Sequence, residues 1–296
     1  MNVRSGTLRV SGAQLYYEAR GTGPVLLMSD SGGGEVRRSN EIADLLAEEF
    51  TVVTYDRRGF ARSPLDQPGV AVPVETHAED MLRLLAELTD APAHVLGCAL
   101  GVLPMLSAVV TAPDRFATVI AHEPLAPALL DGTDRREHIA AFEALVQDYR
   151  TQGLPAAVVR ISAILGAGAH NQQRVQDSLD RDAAPRPASS DPAVTGQRTA
   201  NFDFILTNEI PQALTASLDT DALRNTTVPV VAAAGVSTPP SLFGGKCARA
   251  LGTLVGNEAI AFPGGHNAHF THPREYAQRL REVLGQRSAR TMPAGQ

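Results

Sequence analysis

Short runs of consecutive apolar residues recur along the chain, each closed by a cluster of turn-forming residues. Val25-Leu26-Leu27-Met28, Thr51-Val52-Val53-Thr54-Tyr55, His94-Val95-Leu96, Thr118-Val119-Ile120-Ala121, Val228-Pro229-Val230-Val231-Ala232 and Ala259-Ile260-Ala261-Phe262 read as strands buried on both faces. Between them the apolar spacing widens to three and four residues, predicting helices over 40–50, 74–88, 101–110 and 244–251. Ahead of this alternation, Thr7-Leu8-Arg9-Val10 and Gln14-Leu15-Tyr16-Tyr17-Glu18 flank Ser11-Gly12 as the arms of a hairpin. Doubly buried strands alternating with amphipathic helices predict an α/β fold with a mostly parallel central sheet covered by helices on both faces.

The alternation stops between about Leu130 and Arg224, where helical patterns over 135–152, 155–165 and 201–214 follow one another with no strand between them. That is the pattern of an insertion into a single domain: core 1–130 and 221–285, helical insert 131–220, tail 286–296. Placed between strands of an open α/β sheet, the insert is expected over their carboxyl ends as a lid. Within it, the proline-rich polar stretch 183–192 is expected to be mobile, and the tail to fray.

Composition narrows the class. At 296 residues, 44% hydrophobic and 20% charged, the chain can bury a large core. A net charge of −6 with its 26 basic residues scattered argues against a nucleic-acid surface. Cys98 and Cys247, the two cysteines, provide neither a disulfide framework nor metal-ligand spacing. No stretch approaches the ~18 apolar residues of a membrane span, and no leader pattern opens the chain. The expectation is a cytoplasmic protein with a small-molecule substrate and no metal or other cofactor.

The chemistry concentrates at Gly97-Cys98-Ala99-Leu100-Gly101. A short strand before it and an apolar helix after it make a sharp corner, and the bracketing glycines place Ala99 at its apex. A nucleophile at such a corner belongs at the apex, where this chain has a methyl group. Cys98 stands one residue off. For it to be the apex, Leu96 and Leu100 would occupy positions that admit only small side chains, so Cys98 reads as a buried thiol beside the pocket.

Taken together, these motifs resemble the α/β-hydrolase superfamily over essentially the whole chain. Tyr55-Asp56-Arg57-Arg58-Gly59 with Ser63 is similar to the family's loop after the fourth strand, Gly97 to Gly101 to its nucleophile elbow, Ala121-His122-Glu123-Pro124 to a segment common in bacterial members, and Phe262-Pro263-Gly264-Gly265-His266 to its histidine loop. The resemblance implies a serine–acid–histidine triad with an oxyanion hole of backbone N–H groups. It assigns the histidine to His266 and one oxyanion donor to Leu100. Three positions depart: Ala99 replaces serine; Asp30-Ser31-Gly32-Gly33-Gly34 replaces the usual oxyanion turn; and Gly235-Val236-Ser237-Thr238-Pro239-Pro240 carries no acid. Glu123, after the preceding strand, is the carboxylate placed to stand in, while Asp30 is a carboxylate gained near the oxyanion turn. Ser31 and Gly32 complete the expected substrate-contacting set with Leu100 and Cys98, whereas His122, His269 and His272 read as structural or surface residues.

A methyl group supplies no nucleophile, so ordinary acyl-enzyme turnover is unavailable. The first reading is therefore a cofactor-free enzyme performing cyclisation, isomerisation or C–C lyase chemistry on a small apolar carbonyl compound, by analogy in bacterial secondary metabolism. In it His266, with or without Asp30, moves a proton. Two alternatives stay open. One is an ester or lactone hydrolase whose serine has been replaced by alanine or whose water is activated by His266; the other is a binding protein that keeps the pocket and has lost chemistry.

Overall fold

The computed structural model describes residues 2–29, 39–166 and 192–291. Eight strands form one sheet in the order β1-β2-β4-β3-β5-β6-β7-β8: Val3–Val10, Ala13–Arg20, Val25–Ser29, Thr51–Asp56, Ala93–Cys98, Phe116–His122, Val230–Gly235 and Ile260–Phe262 for β1 to β8. The β1–β2 hairpin lies antiparallel along one edge and β2 is antiparallel to β4; from β4 onward every pairing is parallel. This is the α/β-hydrolase fold expected from the sequence, with a mostly parallel sheet between helices. β7 starts at Val230, just past Pro229, which has no N–H to donate to a central ladder.

Side chains two apart along a strand share a face, and the core divides accordingly. Leu27, Val53, Val95, Val119 and Ala232 pack with α2 (Val74–Leu88) and α3 (Val102–Thr111). Leu26, Val52, Leu96, Ile120 and Val231 pack with α1 (Asn40–Leu46) and the C-terminal helix α11 (Pro273–Thr291). The α2 pattern of buried Val74, Ala78, Met81, Leu84 and Leu85 is the expected one-sided stripe. In contrast, α11 did not figure among the helices predicted from periodicity, and it runs past Gln286, where the tail was expected to begin.

Between β6 and β7 lie α4 (Gly132–Gln152), α5 (Leu154–Ile164), α6 (Pro192–Phe204), α7 (Ile210–Thr215) and the short α8 (Thr220–Arg224). A π-helical turn, Ile205–Glu209, joins α6 to α7, so the helix expected over 201–214 is the later part of a longer, locally widened one. After β7 come α9 (Phe243–Leu254) and, beyond β8, the single turn α10 (Ala268–Thr271). Most of the proline-rich stretch falls outside the described residues, as do Asp30, Ser31 and Gly32. Among the described residues no helix is long and apolar enough to cross a membrane.

Candidate active site

The corner after β5 is built as its glycines require. Ala99 has φ +48°, the left-handed region that a side chain enters at a cost of about 1–2 kcal/mol. A Cβ on Gly101 would stand 2.1 Å from the Ser29 carbonyl oxygen, and one on Gly97 would meet Met105 Sδ at 2.9 Å. Gly101 therefore admits no side chain, and one at Gly97 would force Met105 to move. Ser29 Oγ donates to the Gly101 carbonyl at 3.2 Å, and the Leu125 N–H donates to the Ala99 carbonyl, also at 3.2 Å, tying the corner to β3 and to the segment after β6.

That segment begins with a second strained residue. Glu123 has φ +44° and sits directly after β6. Its N–H donates to the Ala233 carbonyl, which turns the carboxylate toward the end of β7. Oε1 accepts from the Gly235 N–H at 2.8 Å, Oε2 accepts from His266 Nδ1 at 2.9 Å, and the Thr238 hydroxyl contributes a further hydrogen bond. Burial alone would raise the acid, but these bonds and the nearby His266 and His122 rings outweigh it and bring Glu123 down to about 2. An ionised carboxylate accepts, so the shared proton lies on His266 Nδ1.

The turn after β7, which lacks an acid, serves as a scaffold for one. Its Ser237 N–H donates to the Gly264 carbonyl at 2.8 Å, and a Cβ on Gly235 would collide with that same oxygen at 2.5 Å. Two loops thus close on each other and carry His266 to Glu123. Beneath them His122, wholly buried, reaches the Gly265 carbonyl through Nε2 at 3.3 Å and packs against Phe262 and Tyr276. Desolvation pushes His122 down to about 4, so it is a neutral prop for the histidine loop. His269 is buried as well, whereas His272 is only half-buried.

Ala99 and Cys98 part company. The Ala99 methyl, 1% exposed, packs in an apolar cluster with Phe60, Leu125, Phe142, Leu206 and Ile210, drawn mainly from the insert. Cys98 packs with Leu96, Ile120 and Phe262 in the other cluster, on the α1–α11 side of the sheet. Its thiol was expected beside the pocket; Cys98 is the last residue of β5, whereas Ala99 opens the turn beyond the strand with a left-handed backbone, and the two side chains enter different surroundings. Leu100 joins Leu125, Phe142, Ile210 and His138 around a small apolar recess between the corner and the insert. Among the described residues no cluster of three or more histidine, cysteine or carboxylate side chains is arranged to hold a metal ion.

The insert is fastened to the core by buried polar contacts at the π-helical turn. Glu209 pairs with Arg57 through two bonds of 2.9 and 2.7 Å, both side chains being almost wholly buried. Asn208 donates to the Val70 carbonyl and accepts from the Val72 N–H. Phe204 stands edge-on to Phe60 and against Gly59, where a Cβ would overlap its ring. Arg57 and Gly59 lie in the Tyr55 to Gly59 motif, so that loop works as the receptor for the insert.

Two features escaped the sequence reading. His138 is one: in α4 it shares a face with Phe142, Leu145 and Tyr149, a stripe whose spacing was visible but whose histidine was not singled out. The Arg57–Glu209 pair is the other, and nothing local marks partners 152 residues apart.

Comparison with known proteins agrees with the architecture. The family model described as alpha/beta hydrolase fold matches residues 24–228, and the chain belongs to that family. It is similar to an uncharacterized hydrolase, YraK, of Bacillus subtilis, with 31% identity over 287 residues, covering 96% of this chain and 97% of the relative. It also resembles the zearalenone hydrolase of Bionectria ochroleuca, 31% identical over 134 residues, 44% of this chain and 50% of that one. Among solved structures, the enol-lactonase from Burkholderia xenovorans superposes with a TM-score of 0.64 at 18% identity, covering 95% of this chain and all of that one. A thermophilic esterase from Thermogutta terrifontis gives 0.65 at 18% identity, with 96% and 99% coverage.

Proposed function

We propose that the chain is a cofactor-independent enzyme acting on a small, apolar carbonyl compound without a covalent intermediate, by isomerisation, cyclisation or C–C cleavage. The observation that carries this reading is the Glu123–His266 hydrogen bond at 2.9 Å, an acid–base pair retained where the corner has Ala99 in place of a nucleophile. Glu123 holds His266 in the tautomer with Nε2 free, and Nε2 takes a proton from the substrate and returns it. The Leu100 N–H, with the segment around Ser31 and Gly32, stabilises negative charge on the carbonyl oxygen, and Asp30 is a second proton carrier. The insert acts as a lid whose apolar residues hold the substrate in a reactive conformation, an effect worth several kcal/mol.

A second reading is favoured by the relatives, which are named hydrolases, a lactonase among them. In it Nε2 removes a proton from water, which attacks an ester or lactone carbonyl directly. Incubation with lactones, esters and enolisable ketones, followed by mass spectrometry, separates the two: conversion at constant mass, or to fragments whose masses sum to that of the substrate, is expected, and gain of water overturns the first reading. His266→Ala is expected to lower turnover by about 10² to 10⁴, the contribution of a positioned base. A burst of one equivalent of product from an aryl ester in Ala99→Ser would instead identify a hydrolase lacking only its serine. Tight binding without conversion of any compound would make the protein a receptor.

A further inference from the structure

Two glycines stand in the first turn of α9. Gly244 and Gly245 follow Phe243 there, although alanine favours a helix more than glycine does, and neither has a positive φ that would call for glycine. What they supply is space. A Cβ on Gly244 would stand 3.0 Å from both Cβ and Oε2 of Glu123, closer than the ordinary carbon–carbon contact of about 3.5–4.0 Å, and one on Gly245 would stand 3.1 Å from the Pro239 carbonyl oxygen. The first turn of α9 is therefore seated against both the acid and the turn after β7. Glu123 has little freedom to give way: its backbone turns at φ +44°, its N–H donates to the Ala233 carbonyl, and Oε1 is held by the Gly235 N–H at 2.8 Å.

We propose that Gly244 is a positioning residue: having no side chain, it admits the Glu123 carboxylate to the first turn of α9 and so sets the distance from Glu123 to His266. The role rests on the reading of Glu123 and His266 as the working acid–base pair. It also accounts for how an acid at the end of β6 serves a site whose β7 turn carries none. β7 lies between β6 and β8, so a carboxylate leaving β6 must reach across the end of β7 to the histidine that follows β8, and Gly244 lies beside that path. The helix adds a second effect. Gly244 belongs to the turn whose N–H groups lack acceptors within the helix, and that positive end favours an ionised carboxylate.

The test compares the wild-type protein, Gly244→Ala, Glu123→Gly and the double variant. The His266 Hδ1 proton, held between Nδ1 and Glu123 Oε2 across 2.9 Å, resonates at low field in such a charge-assisted bond and reports its length without any substrate. Gly244→Ala is expected to displace the carboxylate and move the Hδ1 resonance upfield. In turnover assays kcat should fall by about tenfold with KM little changed, as a displacement of about 1 Å can cost 10². Urea denaturation of the four proteins completes the cycle. Glu123→Gly removes both atoms that crowd residue 244 and suits φ +44°, so the added methyl should be tolerated better in that background than in the wild type. A Gly244→Ala chain that does not fold is expected to fold once Glu123→Gly is added. An unmoved Hδ1 resonance in folded Gly244→Ala, or a methyl with the same effect on stability in both backgrounds, would overturn the proposal. A shifted Hδ1 with unaltered turnover would count instead against Glu123 and His266 as the working pair, so the two failures are read separately.

Discussion

Replacing Glu123 with glutamine removes one charge from the site and keeps its shape. In the native protein the carboxyl is 1% exposed and titrates at about 2 against an ordinary 4.5. At ~1.4 kcal/mol for each tenfold change in proton affinity, that difference makes the ionised group worth about 3 kcal/mol at neutral pH. Because the folded value is depressed, the stabilisation is complete above pH 4.5 and is lost as pH falls toward 2. Glutamine can still accept from the Gly235 N–H, recovering about 1 kcal/mol, so Glu123→Gln is expected to cost about 1–3 kcal/mol at pH 7. The assay is urea denaturation of both proteins from pH 7 to the lowest pH at which they fold. Groups that do not touch residue 123 cancel in the difference, which should shrink as the pH drops below 4.5. The same exchange faces His266 Nδ1 with an amide N–H, moves the ring proton to Nε2 and removes the base; ¹⁵N spectra would show the altered tautomer, with turnover reduced by about 10³ to 10⁴. Stability curves that stay parallel through pH 4.5, or an unaltered tautomer, would refute the reasoning.

Two further outcomes follow from buried groups outside the corner. Burial depresses His122 and His138 to about 4, and His77, beside Arg57 and Arg58, well below its usual range; each stabilises the fold fully above pH 6.5 and less as the pH falls below it. Burial lowers His94 as well, so unfolding between pH 6.5 and 4 should take up about two to four protons, read from the slope of denaturation free energy against pH, and a flat profile would contradict the burial of these rings. Glu209→Gln leaves the Arg57 guanidinium buried without its counter-charge and is expected to cost about 3–5 kcal/mol, loosening the insert first. Hydrogen exchange should show Ile205–Glu209 losing protection before the sheet does, and a loss below about 1 kcal/mol would mean that the pair does not fasten the insert.

How much the sequence by itself determined follows from what its patterns encode. A run such as Val25 to Met28 can stay dry only inside a sheet covered on both faces, and the α2 stripe can be buried only on one side of a helix, so element type and layering are local consequences of hydrophobic period. The corner was legible for the same reason, since Gly97 and Gly101 meet a steric demand set within five residues. Even there, adjacent Cys98 and Ala99 went to different clusters, because the chain turns left-handed at Ala99 as it leaves β5. Period reports burial and says nothing about which distant residue will be the neighbour. That Glu123 meets His266 across 143 residues was decided by the parallel register of β6, β7 and β8 and by the closure of Gly235 on Gly264. His138 looked like any member of an apolar helical stripe until packing set it against Phe142 and Phe243 with an unpaired nitrogen, because the cost of a buried polar atom exists only once water has been excluded around it.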